Sequence, residues 1–120
     1  MPSTDSLQAV ARRLEERAAQ LARDIAAAEA RADDGAREVG DRKDEADANV
    51  RRLVGDAELE RDLAELRAIA GARERIEAGS YGRCSDCGEP IGQDRLLAQP
   101  TAARCTACQS EVERRERQAR

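Results

Sequence analysis

Four residues in this chain have the types and spacing for one piece of chemistry. They are Cys84 and Cys87 in Cys84-Ser-Asp-Cys87 and, after 17 intervening residues, Cys105 and Cys108 in Cys105-Thr-Ala-Cys108. Two residues between cysteines let one tight knuckle present both sulfurs to a single ion. The longer insert lets a second knuckle return from the opposite side and complete a tetrahedron. Gly88 follows the first pair, where a positive φ is often needed and glycine pays no steric penalty. Four thiolates leave no open coordination position, so the expected ion is one structural Zn2+ with no catalytic role. Between the pairs only Ile91, Leu96, Leu97 and a few alanines are available to bury, so the metal must supply much of the local folding free energy. A redox Cys-x-x-Cys would call for a strand–helix context that is missing here. A disulfide pair is the remaining alternative, and the compartment argues against it. Met1 to Asp5 lacks the basic-then-apolar pattern of a signal peptide, and the expected compartment is a reducing cytoplasm, where cysteine clusters serve metals more often than disulfides.

The rest of the composition describes what must hold that cluster. The chain has 120 residues, no Trp, no Phe, no His and one aromatic, Tyr81. Leu, Ile and Val number 18, too few for an ordinary globular core, yet the net charge is only −4. Ala, Glu, Lys, Leu and Arg make up 68 of the 120 residues, which is the composition of long helices and coiled coils. Without histidine there is no His-based acid–base chemistry and no mixed Cys/His metal site. No run approaches the ~20 apolar residues that span a bilayer, so no membrane association is expected.

Periodicity places the elements. Apolar residues fall at Leu7, Ala11, Leu14, Ala18, Leu21, Ile25, Ala28 and Ala32, steps of four and three that form a heptad seam on a helix over residues 6–32. Thr4 or Asp5 is the expected N-cap. Residues 33–45 break the pattern with Asp33, Asp34, Gly35, Gly40 and Asp41, and acids outnumber bases seven to three over 33–47. This reads as an acidic turn. A second helix from about Asp44 to Ala78 carries Ala46, Val50, Leu53, Ala57, Leu59, Leu63, Leu66, Ala70 and Ile76 as its seam, with a register slip near Leu59 just after Gly55 that predicts a local change of winding. Gly79 is its expected stop. Two long helices joined by a short turn fold back most simply as an antiparallel hairpin. The alternative, a parallel dimeric coiled coil, would have to run through the acidic glycine-containing segment. Residues 109–120 read as a short charged helix in which Arg114, Arg115 and Arg117 pair with Glu111, Glu113 and Glu116 at i,i+3 and i,i+4. The expected fold is thus mainly α: an antiparallel two-helix coiled-coil hairpin over 1–79 with an acidic tip near 33–46, then a small four-cysteine zinc finger and a short C-terminal helix over 80–120, as a monomer.

The stretch Arg75-Ile-Glu-Ala-Gly-Ser-Tyr-Gly-Arg-Cys84-Ser-Asp-Cys87-Gly-Glu-Pro-Ile91, followed by Arg95-Leu96, Ala98, Pro100-Thr101, Cys105 and Cys108-Gln109, resembles the DksA/TraR family of bacterial zinc-finger transcription factors. The motif covers about a third of the chain, and the hairpin and C-terminal helix fit the family layout over nearly all the rest. The resemblance implies a non-enzymatic regulator that binds RNA polymerase through its secondary channel. Members that act on the polymerase carry Asp-x-x-Asp-x-Ala at the hairpin tip. Here Asp41-Arg-Lys-Asp44-Glu-Ala46 stands at the helix break, so Asp41, Asp44 and Ala46 are the implied tip residues, approaching the catalytic magnesium. An acidic tip suits a site holding a divalent cation; Arg42 and Lys43 place positive charge between the two carboxylates. A helix of ~27 residues rises ~40 Å, long enough to probe a channel.

Longer members have an additional N-terminal segment, whereas here the first helix begins almost at once. Their alarmone (ppGpp) response uses basic residues on the second helix and just after the last cysteine. Arg61 stands at one such place, but Ala68 and Gln109 occupy others, so the usual ppGpp site is not expected. The alternative function is a zinc-stabilised helical interaction module with a different protein partner, which would not need Asp41 or Asp44. Specific DNA binding is not expected. Residues 80–120 carry seven basic and six acidic residues, which makes no phosphate-binding patch, and no aromatic platform exists for single strands. Tyr81 is expected to pack between the second helix and the first knuckle.

Overall fold

A computed structural model of the chain describes residues 3–37 and 42–119, and at residues 34–37, 42–45 and 48 the backbone alone. Four helices follow one another: α1 (Thr4–Arg37), α2 (Arg42–Ala78), α3 (Gln93–Ala98) and α4 (Thr106–Ala119). Among the described residues there is no strand, only an isolated antiparallel bridge between Arg83 and Pro90. No helix is long and apolar enough to cross a membrane. Contacts gather the chain into two compact units. Residues Glu15–Arg67 form one, and Met1–Leu14 with Ala68–Arg120 the other.

The hairpin unit, 15–67, is a pair of antiparallel helix segments. Leu21 is fully buried, and Ala18, Ile25 and Ala28 of α1 and Leu59, Leu63 and Leu66 of α2 are half-buried around the same seam. The antiparallel sense is fixed by Arg17, early in the first segment, whose guanidinium donates to Glu65, late in the second, with Nη2 to Oε1 at 2.9 Å. This is the heptad seam expected from the sequence, and it holds from Ala18 to Ala28. Ala32 is exposed.

The structure corrects the expected break and the expected winding. α1 continues to Arg37 and α2 starts at Arg42. Loss of apolar periodicity at Asp33 marks the end of a packed face. It does not mark the end of a helix, because Asp, Ala and Arg are tolerated in a helical turn. Ala46, Val50, Leu53 and Ala57 are exposed and do not line the seam. α2 runs unbroken through Gly55, and nine residues are two and a half turns at 3.6 residues per turn. Val50 therefore lies on the opposite side of α2 from Leu59. The slip in the sequence produces two opposed apolar stripes on a continuous helix.

The other unit packs the N-terminal turns of α1, the end of α2 and residues 79–119. Its buried hydrophobic residues are Leu14, Ile69, Ala72, Tyr81, Cys84, Ile91 and Ala102. Ile69 takes the seam position expected for Ala70, which is exposed; three steps of three from Leu63 through Leu66 to Ala72 replace the four-residue step. α1 is capped by Ser3, not by Thr4 or Asp5. Ser3 Oγ accepts from the backbone N–H of Ser6 at 3.2 Å, and the Ser3 carbonyl accepts the first helical bond from Leu7, which defines an N-cap. At the other end of the hairpin helices, Gly79 has φ 77° and closes a paired motif: Ser80 N–H donates to Arg75 O at 2.9 Å and Gly79 N–H to Ile76 O at 3.2 Å. Those two bonds satisfy carbonyls that the end of a helix leaves open, and the left-handed backbone they need favours glycine.

Candidate metal centre and helix-break segment

The residues after Gly79 turn the chain directly into the first knuckle. Tyr81 is buried, 2% exposed, and its hydroxyl donates to the Pro100 carbonyl at 2.8 Å. Arg75, on the last turns of α2, donates to the Thr101 carbonyl at 3.2 Å, and Arg13 of α1 to the Leu97 carbonyl at 3.0 Å. These three bonds hold the segment before the second knuckle against the helices of the same unit. Burial pushes the Tyr81 phenol above its ordinary range, against the smaller opposing pull of Arg75 and Arg13. The tyrosine is buried, as a packing role requires.

In the first knuckle Cys84 N–H donates to Glu89 O at 2.8 Å and Gly88 N–H to Cys84 O at 3.0 Å. Gly88 has φ 77°, the left-handed conformation expected there. Ile91 N–H returns to Gly82 O at 2.8 Å, next to the Arg83–Pro90 bridge. Ser85 N–H donates to Ala103 O at 2.8 Å, which ties the first knuckle to the extended approach of the second. The short helix α3 fills the insert and brings Leu96 onto the small core of Cys84, Ile91 and Ala102. The second knuckle opens α4: Cys108 N–H points at Cys105 Sγ at 3.4 Å, and Gln109 N–H donates to Cys105 O at 2.9 Å. The C-terminal helix therefore begins at Thr106, inside the knuckle, three residues before the start expected from its charges. Two of the expected pairs form on its surface, Arg114 and Arg115 both on Glu111; Glu113 accepts from Gln109 instead.

The four sulfurs converge. The Sγ atoms of Cys84, Cys87, Cys105 and Cys108 all lie within 4.8 Å of one another, with Cys87 Sγ and Cys105 Sγ 3.8 Å apart. A tetrahedron with Zn–S bonds of ~2.3 Å has sulfur–sulfur edges of ~3.8 Å. No pair is a disulfide. The ionisation of the thiols also fits a cation. Hydrogen bonding to the backbone of Cys105 and Cys87 brings the Cys84 thiol down to about 6, whereas hydrogen bonds with the sulfurs of Cys105, Cys84 and Cys87 push Cys108 well above the usual thiol range. Four sulfurs this close cannot all ionise against one another, and a divalent ion at their centre removes that conflict. A closed set of soft thiolates in this geometry takes zinc and offers no place for a substrate.

The helix-break residues are placed less fully. Asp41 lies outside the described residues. Asp44 belongs to the first turn of α2 by its backbone, and its side chain is outside the described residues too. Ala46 is exposed on α2. Arg61 and Ala68 are exposed, and Gln109 donates to Glu113 along α4 at 3.2 Å. Sequence reasoning missed α3 and the inward bonds of Arg13 and Arg75. The signal for α3 was present in Gln93-Asp-Arg-Leu-Leu-Ala98, a run of helix formers ended by Pro100; nothing in the sequence marks Arg13 apart from its exposed neighbours.

Residues 79–114 match the model of the prokaryotic dksA/traR C4-type zinc finger. An uncharacterized protein of Aquifex aeolicus is 49% identical over 53 residues, 44% of this chain and 37% of that protein. The RNA polymerase-binding transcription factor DksA of Caulobacter vibrioides is 40% identical over 77 residues, 64% of this chain and 54% of that protein. The chain thus spans about half, or less, of these curated relatives. The structure of transcription factor DksA2 from Pseudomonas aeruginosa superposes with a TM-score of 0.83 at 31% identity, covering 96% of this chain and 88% of that one. A Chlamydia trachomatis protein of the same kind shares the fold, with a TM-score of 0.60 at 24% identity. Zinc finger, helical hairpin and sequence agree over nearly the whole length, and the chain belongs to the DksA/TraR family of C4 zinc-finger proteins.

Proposed function

We propose that this chain regulates transcription by binding RNA polymerase, without catalysing a reaction, in the cytoplasm where the polymerase works. The observation that carries the reading is the fold match to DksA2 over 96% of the chain, supported by the relatives named as RNA polymerase-binding transcription factors. The finer reading is that the helix-break segment enters the secondary channel, with Asp41 and Asp44 near the catalytic magnesium and Ala46 permitting close approach.

Each part of the chain has a physical task in that reading. The zinc centre fixes the knuckles and, through Tyr81 and Arg75, the end of α2. The hairpin carries the break segment: residues 42–67 of α2 alone rise ~39 Å. Carboxylates at the break would act on the electrostatics around a bound divalent ion and its basic neighbours. No covalent step is required of them. The chain acts as a monomer when it engages the polymerase, makes no specific DNA contact, and lacks the usual ppGpp site, because Ala68 and Gln109 supply no charge for a phosphate.

The test is a titration of the zinc-loaded protein against bacterial RNA polymerase, with and without a competitor that plugs the secondary channel. Competed binding at about micromolar affinity or tighter is expected. Asp44→Asn should keep zinc, fold and binding while reducing the effect on a sensitive promoter. Binding that ignores the competitor refutes the channel route, and equal promoter effects of wild type and Asp44→Asn refute the role of the break segment.

A further inference from the structure

The outer face of α2 carries an apolar stripe that no described residue of the chain covers. Val50, Leu53 and Val54 are 61%, 72% and 55% exposed, and Ala46 and Ala57 extend the stripe at either end. The spacing of three and four residues is that of a helix-pairing seam, set on the side opposite Leu59, Leu63 and Leu66.

The charges beside the stripe indicate what meets it. At ~100° per residue from Val50, Asp47, Glu58 and Arg51 lie ~60–100° to one side, and Arg61 within ~20° of the centre line. In chain order the signs alternate: Asp47, Arg51, Glu58, Arg61. A two-fold axis lying between the helices and perpendicular to them keeps like edges together and reverses direction. With that axis between Leu53 and Val54, Val50 meets Ala57 of the partner subunit, and Leu53 and Val54 each lie beside their own copies at the axis. The same axis brings Arg61 within one residue, ~1.5 Å of rise, of the partner's Asp47, and Arg51 within two residues, ~3 Å of rise, of the partner's Glu58. Each pairing occurs twice by symmetry. One register therefore matches both the apolar residues and the charges.

We propose that this face of α2 pairs antiparallel with the same face of a second copy of the chain. The inference does not depend on the polymerase reading. The seam is short, well below the ~1,200 Å² of a standard stable interface, so the dimer is weak and forms at about 10 µM to 1 mM. Pairing also withholds residues 46–61 from any other protein that needs them, so such a partner competes with the dimer.

Sedimentation equilibrium of the zinc-loaded full chain, from about 10 µM to 1 mM, reads the association directly. Leu53→Asp places a carboxylate beside the two-fold axis and should weaken association at least tenfold. Leu53 is exposed, so fold and zinc content, checked by circular dichroism and metal analysis, should not change. Arg51→Glu should weaken it as well, and adding Glu58→Arg to Arg51→Glu should restore it. A chain that stays monomeric throughout, or that dimerises equally well as Leu53→Asp, overturns the proposal, as does a charge reversal that restores nothing. If the chain is monomeric and Leu53→Asp instead weakens polymerase binding, the stripe is a docking face for polymerase and only the self-pairing is wrong. If the chain dimerises as described but polymerase does not bind, the self-pairing stands and the polymerase reading falls.

Discussion

The one aromatic residue offers the most informative perturbation. Tyr81→Phe keeps the buried ring and removes only the hydroxyl that donates to the Pro100 carbonyl at 2.8 Å. A neutral hydrogen bond contributes about 0.5–1.5 kcal/mol net. Pro100 is half-buried, so water can reach the released carbonyl, and the cost should fall in the lower half of that range. For a unit of this size 1 kcal/mol shifts the melting temperature by roughly 4–8 °C, so Tyr81→Phe should melt about 2–8 °C below wild type. Tyr81→Ala removes a ring that is 2% exposed from a small core and should cost about 3–5 kcal/mol, near the whole stability of a marginal unit. Thermal melts by circular dichroism at fixed free zinc measure both. The alkaline limb gives a second readout. Because burial raises the Tyr81 phenol in the folded state, its contribution is complete below the unfolded value near 10 and is lost as pH rises through the folded value. Wild type should lose stability more steeply than Tyr81→Phe above that pH. If Tyr81→Phe is as damaging as Tyr81→Ala, or if neither shifts the melt, the separation of ring packing from hydrogen bond is wrong.

Cys84→Ser should abolish stoichiometric zinc binding and unfold the knuckles, since the ion supplies much of their stability; a variant with one zinc per chain and a native melt would refute the four-sulfur site. Leu21→Ala, at the fully buried position of the hairpin, should cost about 2–5 kcal/mol, toward the low end because a two-helix seam can close over the gap; chemical denaturation measures it. Glu65→Gln should cost well under 1 kcal/mol, because its pairing with Arg17 is solvent-accessible. The Arg17 hydrogen bond holds the Glu65 carboxyl below its usual range. Its small contribution is therefore present above pH ~4.5 and fades as pH falls through the folded value, a loss that denaturation at pH 7 and pH 3 should reveal in wild type and not in the variant.

The parts of the fold legible in the sequence are those where chemistry dictates spacing. Cys84 to Cys108 could be read because a tetrahedron of sulfurs admits few arrangements of two knuckles. Leu14 and Leu21 could be read because a heptad seam repeats. Gly79 and Gly88 could be read because their backbone angles exclude most other residues. Where periodicity faltered, the sequence was ambiguous. Val50 and Leu53 look like seam residues when counted among themselves, and only their distance from Leu59 on an unbroken helix shows that they face outward. Ala70 continues the line of Leu59, Leu63 and Leu66 while Ile69 falls ~90° to its side, and packing against the other elements of the unit selects Ile69. The cap at Ser3 and the start of α4 at Thr106 depend on local hydrogen bonds that several neighbouring residues were equally able to make.

The bond from Arg13 to Leu97 spans 84 residues of chain. Leu14, beside it, is buried in a unit whose remaining residues begin at Ala68. A ribosome adding ~5–20 residues per second needs ~4–17 s to travel that distance. During synthesis Arg13 thus waits until the insert between the cysteine pairs has been made before it can donate to the Leu97 carbonyl. The hairpin seam around Leu21 needs only residues up to 67 and can close seconds earlier. The bond that ties α1 to the insert is therefore closed late in biogenesis, and a chain truncated before Leu97 leaves the Arg13 guanidinium without its carbonyl partner.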